Sequence, residues 1–334
     1  MYTSRRLPSS KQCTQRRYVG KAQPSRKRVS HGAIPSHSTS SLSSVKADTL
    51  AKQILFSTVR ITNALQGGQG ASVGTGFLFN AAPSTADPII PLLITNKHVV
   101  DSAAEIRIDV LVENADSSGP ALGLCYQHII TGTPEVGYFG HPNPKVDVAV
   151  IPLADAWNQL WQLKPHPFVR LLDWNLLPTA QAITEFDAIE ELTFVGYPNG
   201  LADPVNHIPI ARQAITATPL AIPFGGDPAF LLDGAVFGGS SGSPVFVLNR
   251  DTWRSTDGTL NLGSRLFLVG VIALTWDRQN DVPVQVSSPA IPFVRISQSL
   301  NLGVAFSSQA IVETINYVLR TYNIPEGMGL QEHG

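Results

Sequence analysis

Cysteine is scarce. The 334-residue chain holds two, Cys13 in a basic terminal stretch and Cys125 in the strand-like run LCYQHII, and no disulfide between them is expected. The core alone must then hold the fold, which suits a reducing compartment, and the expected location is cytoplasmic. Long apolar runs are lacking as well: no window approaches the roughly 20 residues that cross a bilayer. The amino-terminal stretch has no apolar core of a secretory signal, so its SRRLP is not read as a twin-arginine signal. Histidine and cysteine never fall at metal-ligand spacing, and no glycine-rich phosphate cradle precedes a helix. Neither a metal nor an organic cofactor is expected.

Charge is modest, at 15% of residues, and nets −1, but it is unevenly placed. Residues 1–48 carry ten Lys or Arg against Asp48 alone, a charge of +9, while 14 basic and 24 acidic side chains leave residues 49–334 at −10. The body therefore offers no basic face for specific nucleic-acid binding. The basic segment is rich in Ser, Arg and Pro and cannot bury enough surface to offset its chain entropy, so residues 1–48 are expected to be disordered. Non-specific attraction to polyanions is the one activity its chemistry suggests.

What remains is long enough for one large domain or two smaller ones. It reads as many short apolar segments, among them VGTGFLFN, PLLITNKHVV, EIRIDVLVE, VDVAVIPL, ELTFVGYP, AITATPLAI, SPVFVLN and RLFLVGVIALTW. Turn clusters such as PSTADP, HPNP and YPNG lie between them. Ile106, Ile108, Val110 and Val112 fall on one face of a strand with Arg107 and Asp109 opposite. This rhythm predicts an all-β barrel or sandwich rather than a βαβ array. Residues 155–178 break it and are read as a bridge between two β halves. Near the end, Ile311, Ile315, Val318, Leu319 and Tyr322 form one helix face, with Ser307 or Ser308 as N-cap.

The stretch FGGSSGSPV, residues 237–245, carries the candidate chemistry. A serine hydroxyl needs a base, a group that orients the base, and donors for the oxyanion. Framed as G-x-S-x-G, the nucleophile would be Ser240 in a strand-turn-helix elbow, with an acid and a histidine downstream. The only downstream histidine is His333, beside the terminal glycine, and no helix follows, so that framing fails. Framed around Ser241, the partners lie upstream as histidine, then acid. His98 ends an apolar run, whereas His141 and His166 sit in proline-rich loops and read as exposed, and His128 and His207 have no second element pointing at them. Asp147 is the sole carboxylate in an apolar strand, a costly placement unless an imidazole N–H satisfies it. A strand-edge aspartate capping a turn is the alternative, and Asp109 is a rival acid on an outward face.

GTGFLF…LLITNKHVV, VDVAVIPL and GGSSGSPVF, in that order, resemble the trypsin-like, chymotrypsin-fold serine peptidases of the cysteine-poor bacterial type. The resemblance implies two antiparallel six-stranded β-barrels with the site in the crevice between them, followed here by a C-terminal helix. The expected organisation is a tail over 1–48, a first barrel over 49–155, a linker over 156–178, and a second barrel with the terminal helix over 179–334. It implies His98 and Asp147 from the first barrel and Ser241 from the second, with the N–H groups of Gly239 and Ser241 as the oxyanion hole. It places the pocket floor at Ala235 and the strand that pairs with substrate at Ala273, Leu274 and Thr275. Ser240 stands where digestive members have an aspartate, so pairing with a newly cut N-terminus is not expected. No acid occupies Ala235, and the expected preference is for a small or medium apolar side chain rather than Lys or Arg.

The reading is a serine endopeptidase whose partners are peptide or protein substrates bound as an added strand, with no specific nucleic acid and no membrane span. A catalytically silent peptide-binding module on the same fold is the second hypothesis. A subtilisin-like hydrolase using Asp87 is the third, and it lacks the required helices and parallel strands.

Overall fold

Runs such as PLLI and GFLF are apolar at every position because both faces of their strands are covered. The computed structural model describes residues 47–65, 71–84, 86–101, 103–131, 137–283 and 293–327. The basic segment expected to be disordered lies, up to residue 46, outside them. Helix α1 (Leu50–Leu55) is capped by Thr49, whose hydroxyl accepts the Lys52 N–H at 3.3 Å. It leads into β1 (Thr58–Leu65), β2 (Ala71–Asn80), β3 (Pro91–Thr95), the one-turn helix α2 (Lys97–Val100), β4 (Ala103–Glu113), β5 (Pro120–Thr131), β6 (Phe139–Gly140) and β7 (Ala149–Pro152). These strands form one antiparallel sheet in the order β5-β4-β1-β2-β3-β7-β6.

Pleating sorts neighbouring residues into two cores. Leu78, Leu93 and Ile151 join Ile61, Ile106 and Ile108 in the core of this half, whereas Phe77, Phe79, Leu92, Ile94 and Val150 face a second cluster. The alternation expected over residues 106–112 is present, with Ile106, Ile108, Val110 and Val112 all buried.

The second half begins after α3 (Ala154–Gln162) and α4 (Ala180–Thr184). Its strands are β8 (Glu191–Gly196), β9 (Ile210–Thr216), β10 (Ala229–Asp233), β11 (Pro244–Asn249), a small ribbon of β12 (Thr252–Arg254) and β13 (Leu260–Leu262), then the long β14 (Arg265–Pro283) and β15 (Phe293–Ser307). Six of them close into a barrel, β10-β15-β14-β11-β8-β9. Closure rests on a short seam in which Leu232 meets Thr216 and Asp233 meets Ile215. Phe194, Phe230, Leu232, Val245, Val247 and Ile272 fill its interior.

Two six-stranded barrels were expected, and only the second is a closed barrel. Among the described residues, the first half is an open seven-stranded sheet. Its edge strand β6 has two residues and pairs only with β7, which is too short to carry a ladder across to β5. Helix α3 lies against β5 and β3 there, placing Ala156 and Leu160 in the core. That helix falls in what the sequence suggests is a bare linker.

The last helix, α5 (Ser308–Thr321), follows Ser307 as expected and buries Ile311, Ile315, Val318 and Leu319. Tyr322 is instead more than half exposed, because the helix ends at Thr321. Its apolar face completes the cluster that joins the halves, where Phe77, Leu92 and Val150 meet Val195, Phe246 and Phe306. Each such fully buried side chain contributes roughly 1.5–3 kcal/mol. Among the described residues, no helix is long and apolar enough to cross a membrane.

Candidate active site

His98 sits in the single turn of α2, immediately after β3, with Asn96 at the N-cap. The apolar strand anchors this turn: Val99 and Val100 are buried, and Asn63 Nδ2 donates to Val99 O at 2.9 Å. Asp147 does not lie within a strand, as expected, but two residues before β7 in the turn that follows HPNPK. Asn96 Nδ2 donates to its backbone carbonyl at 2.6 Å. The two functional groups meet directly. His98 Nδ1 lies 2.5 Å from Asp147 Oδ2, and the His98 backbone N–H donates to Oδ1 at 3.2 Å.

Burial alone would raise the Asp147 pKa. The hydrogen bond and charge of the His98 ring, with the backbone N–H groups of His98 and Lys97, outweigh it and hold the carboxyl below its ordinary range. An ionised carboxylate can only accept, so Nδ1 carries the proton and Nε2 is left as an acceptor. His98 remains nearly half exposed at 46%, with that edge open.

Ser241 comes from the loop between β10 and β11. Every carbonyl from 237 to 241 is engaged. Phe237 O accepts from Ser240 N at 3.0 Å, Gly238 O from Asn199 N at 2.5 Å, and Ser240 O from Ser243 N at 3.0 Å. Gly239 O accepts from Thr75 Oγ1 at 2.8 Å, and Ser241 O from Thr75 N at 2.9 Å. Among the described residues, the N–H groups of Gly239 and Ser241 have no acceptor, although Ser240, Gly242 and Ser243 do. Two unpaired N–H groups, one on Ser241 itself and one two residues before it, are a ready anion site. Gly239 adopts φ +81°, and a Cβ there would lie 2.5 Å from Tyr197 O.

Thr75, wholly buried, is the clamp. Besides its two bonds to the loop, its Oγ1 accepts from Tyr197 N at 3.0 Å, and its carbonyl accepts from Thr95 Oγ1 at 2.6 Å. Thr95 lies three residues before His98, so one hydrogen-bonded chain runs from the Ser241 loop to the His98 turn. Nothing in the sequence reading singled out Thr75 except its place in GTGF.

The Ser241 hydroxyl donates to Ala273 O at 3.0 Å, and no hydrogen bond joins it to His98. Ala273 sits at a bulge in β14, between Ile272, paired with Ala305, and Leu274, paired with Val304. Pairing of β14 with β11 stops at Val271, so on that side the edge at Ala273, Leu274 and Thr275 is open. Leu274 is 54% exposed. Ala235 is half-buried two residues after β10. Ser240, the alternative nucleophile, is buried, and its Oγ has no partner.

The other histidines lie elsewhere. His141, expected to be exposed, is buried: Asn143 N–H donates to Nδ1 at 3.0 Å, and Nε2 meets Glu313 Oε2 of α5 at 2.7 Å. His128 lies on β5, where burial lowers its pKa, His166 lies against the Trp161 ring at a tilt of 44°, and His207 is in an exposed turn. The rival acid Asp109 pairs with Arg60 at 3.7 Å. Among the described residues, no three His, Cys, Asp or Glu side chains cluster closely enough to hold a metal ion.

The profile of the trypsin-like peptidase domain matches residues 74–254, more than half of the chain, from β2 through β12. The chain belongs to the trypsin-like peptidase family. No curated protein sequence matches it. Several solved structures are similar to this chain. A serine endoprotease from Yersinia pestis is 14% identical with a TM-score of 0.42, covering 81% of this chain and 65% of that one, just short of two thirds of its length. The active form of the Rv3671c protease from M. tuberculosis is 15% identical with a TM-score of 0.41, over 84% and 86% of the two chains. A thermostable serine protease, AL20, from an extremophilic microorganism is 10% identical with a TM-score of 0.42, over 80% and 98%.

Proposed function

We propose that this peptidase is a serine endopeptidase working through an acyl-enzyme, with Ser241 as nucleophile, His98 as base and Asp147 as the group that orients it. The observation that carries the reading is the His98 Nδ1–Asp147 Oδ2 contact of 2.5 Å, which commits one ring nitrogen and leaves Nε2 to accept a proton. Substrate adds as a strand along Ala273, Leu274 and Thr275, with Ala235 lining the pocket for the side chain before the scissile bond. An N–H of that strand competes for Ala273 O and releases the Ser241 hydroxyl towards His98. Its Oγ then bonds to the substrate carbonyl carbon while its proton passes to Nε2. The resulting oxyanion is met by the N–H groups of Gly239 and Ser241, and loss of either donor costs on the order of 100- to 1000-fold in turnover. The C–N bond breaks as Nε2 returns the proton to the departing amine. Water repeats the sequence on the ester, freeing the acid and regenerating Ser241.

One observation favours a second reading. The Ser241 hydroxyl rests on Ala273 O, as it would in a silent peptide-binding module. A fluorophosphonate probe separates the two. Labelling of the wild type that is lost in both Ser241→Ala and His98→Ala supports the peptidase, and a folded wild type that takes no label supports the binding module.

A further inference from the structure

Beside the nucleophile loop lies an arginine with no acid. Arg212 stands on β9 directly opposite Phe194 of β8 and shares its strand face with the buried Ala214 and Thr216, so it points into the end of the barrel. It is half-buried, its Nη1 is fully covered, and it makes no hydrogen bond or ion pair among the described residues. Its Cζ lies 4.8 Å from the centre of the Phe237 ring and 5.7 Å from that of Phe194. Aromatic rings attract the charge but accept none of its in-plane N–H groups. Burial also pushes its pKa below the usual guanidinium range, the mark of a cation short of compensation.

The location gives this vacancy a meaning. Residues 234–237 run along β9: a Cβ on Gly234 would lie 2.6 Å from the Ala214 Cβ, and Phe237 covers Arg212 two residues further on. Ala235, the expected pocket floor, therefore lies between those two contacts along the chain, and its side chain is a single methyl. A preference argued from Ala235 alone is apolar, but the wall beside it is charged.

We infer that Arg212 is a specificity-determining residue, its guanidinium receiving the carboxylate of a Glu or Asp immediately before the scissile bond. The inference rests on the peptidase reading above and narrows its substrate class. A carboxylate is the acceptor that can take two parallel N–H groups of one guanidinium, and a substrate Lys or Arg is repelled.

The test profiles the intact protein on a peptide library varied at the residue before the scissile bond, alongside Arg212→Met and Arg212→Gln. Fluorophosphonate labelling of each variant reports that its site is assembled. The expected wild-type profile is led by Glu or Asp, with kcat/KM on those peptides falling about 10- to 100-fold in both variants. Peptides with apolar residues there should lose less than those with Glu or Asp. Normal labelling with a wild-type profile led by apolar or basic residues overturns the subsite alone, as does an acidic preference that survives both substitutions. Absence of both labelling and cleavage in the wild type overturns the peptidase reading and the subsite with it.

Discussion

Replacing Thr75 by valine keeps the shape of a wholly buried side chain and removes one oxygen. That oxygen donates to Gly239 O at 2.8 Å and accepts from Tyr197 N at 3.0 Å, so both groups lose their partner, the Tyr197 N–H in a buried site and the Gly239 carbonyl in a part-buried one. The buried Tyr197 N–H costs about 1–3 kcal/mol when unsatisfied and the part-buried Gly239 carbonyl about 1 kcal/mol, so together the variant should lose about 2–4 kcal/mol of stability. With a urea dependence of about 2 kcal/mol per molar, the unfolding midpoint falls by about 1–2 M. Activity should suffer beyond stability. With Gly239 O released, the Gly239–Ser240 peptide that lies between the two proposed oxyanion donors can turn and misalign them, and loss of either donor costs on the order of 100- to 1000-fold in kcat. Thr75→Ser keeps the hydroxyl, loses one methyl worth about 1 kcal/mol, and should retain most of the turnover. The assay pairs urea midpoints with the rate of fluorophosphonate labelling, measured well below each midpoint. A Thr75→Val protein that unfolds and labels as the wild type does would refute the clamp.

Two further outcomes follow from charge burial. Asp147 has its pKa depressed below 3.8 in the fold, so its contribution to stability is fully present above that value and is lost as the pH falls through the lower folded value. The gap in urea midpoint between wild type and Asp147→Asn should therefore close only below about pH 3.8; closure already at pH 5 would contradict the depressed carboxyl. In the second barrel, Arg265 Nη2 meets both oxygens of Glu190 at 3.1 and 2.9 Å, with the side chains only 11% and 8% exposed. Arg265→Met leaves Glu190 buried and unpaired and should cost about 3–5 kcal/mol, whereas adding Glu190→Leu should recover most of it. Thermal melts that show the single variant to be the more stable of the two would refute this.

The parts legible in the sequence were those carried by local pattern. Alternation over 106–112 is in place, and of the helical stripe Ile311, Ile315, Val318 and Leu319 are buried while Tyr322, its last member, is exposed. Chain order alone discarded Ser240, which is buried with an unpartnered hydroxyl. What escaped is long-range. Whether a sheet closes depends on where its edges meet, and the two-residue β6 gives no warning of that. His141 reads as a loop histidine until α5, 172 residues later, supplies Glu313. Thr75 reaches partners 164 and 122 positions away, and Arg212 is explained only by Phe237 on another segment.

These long-range contacts bear on what assembles the site. His98 and Asp147 belong to the half built on the open sheet, while Ser241, the edge at Ala273–Thr275 and Arg212 belong to the barrel half. Their registration depends on a splice of backbone onto backbone. At Gly242, φ is +86° and an added Cβ would stand 1.8 Å from Thr75 O, an approach open only to glycine. From the same strand, Thr75 holds the two carbonyls of the loop and Thr95 reaches back to Thr75. The apolar cluster behind this splice draws on both halves and on α5, so neither half can bury its second strand face alone. Loosening that cluster, even far from Ser241, should misalign His98 and Ser241 before it unfolds either half, and activity should fail ahead of secondary structure.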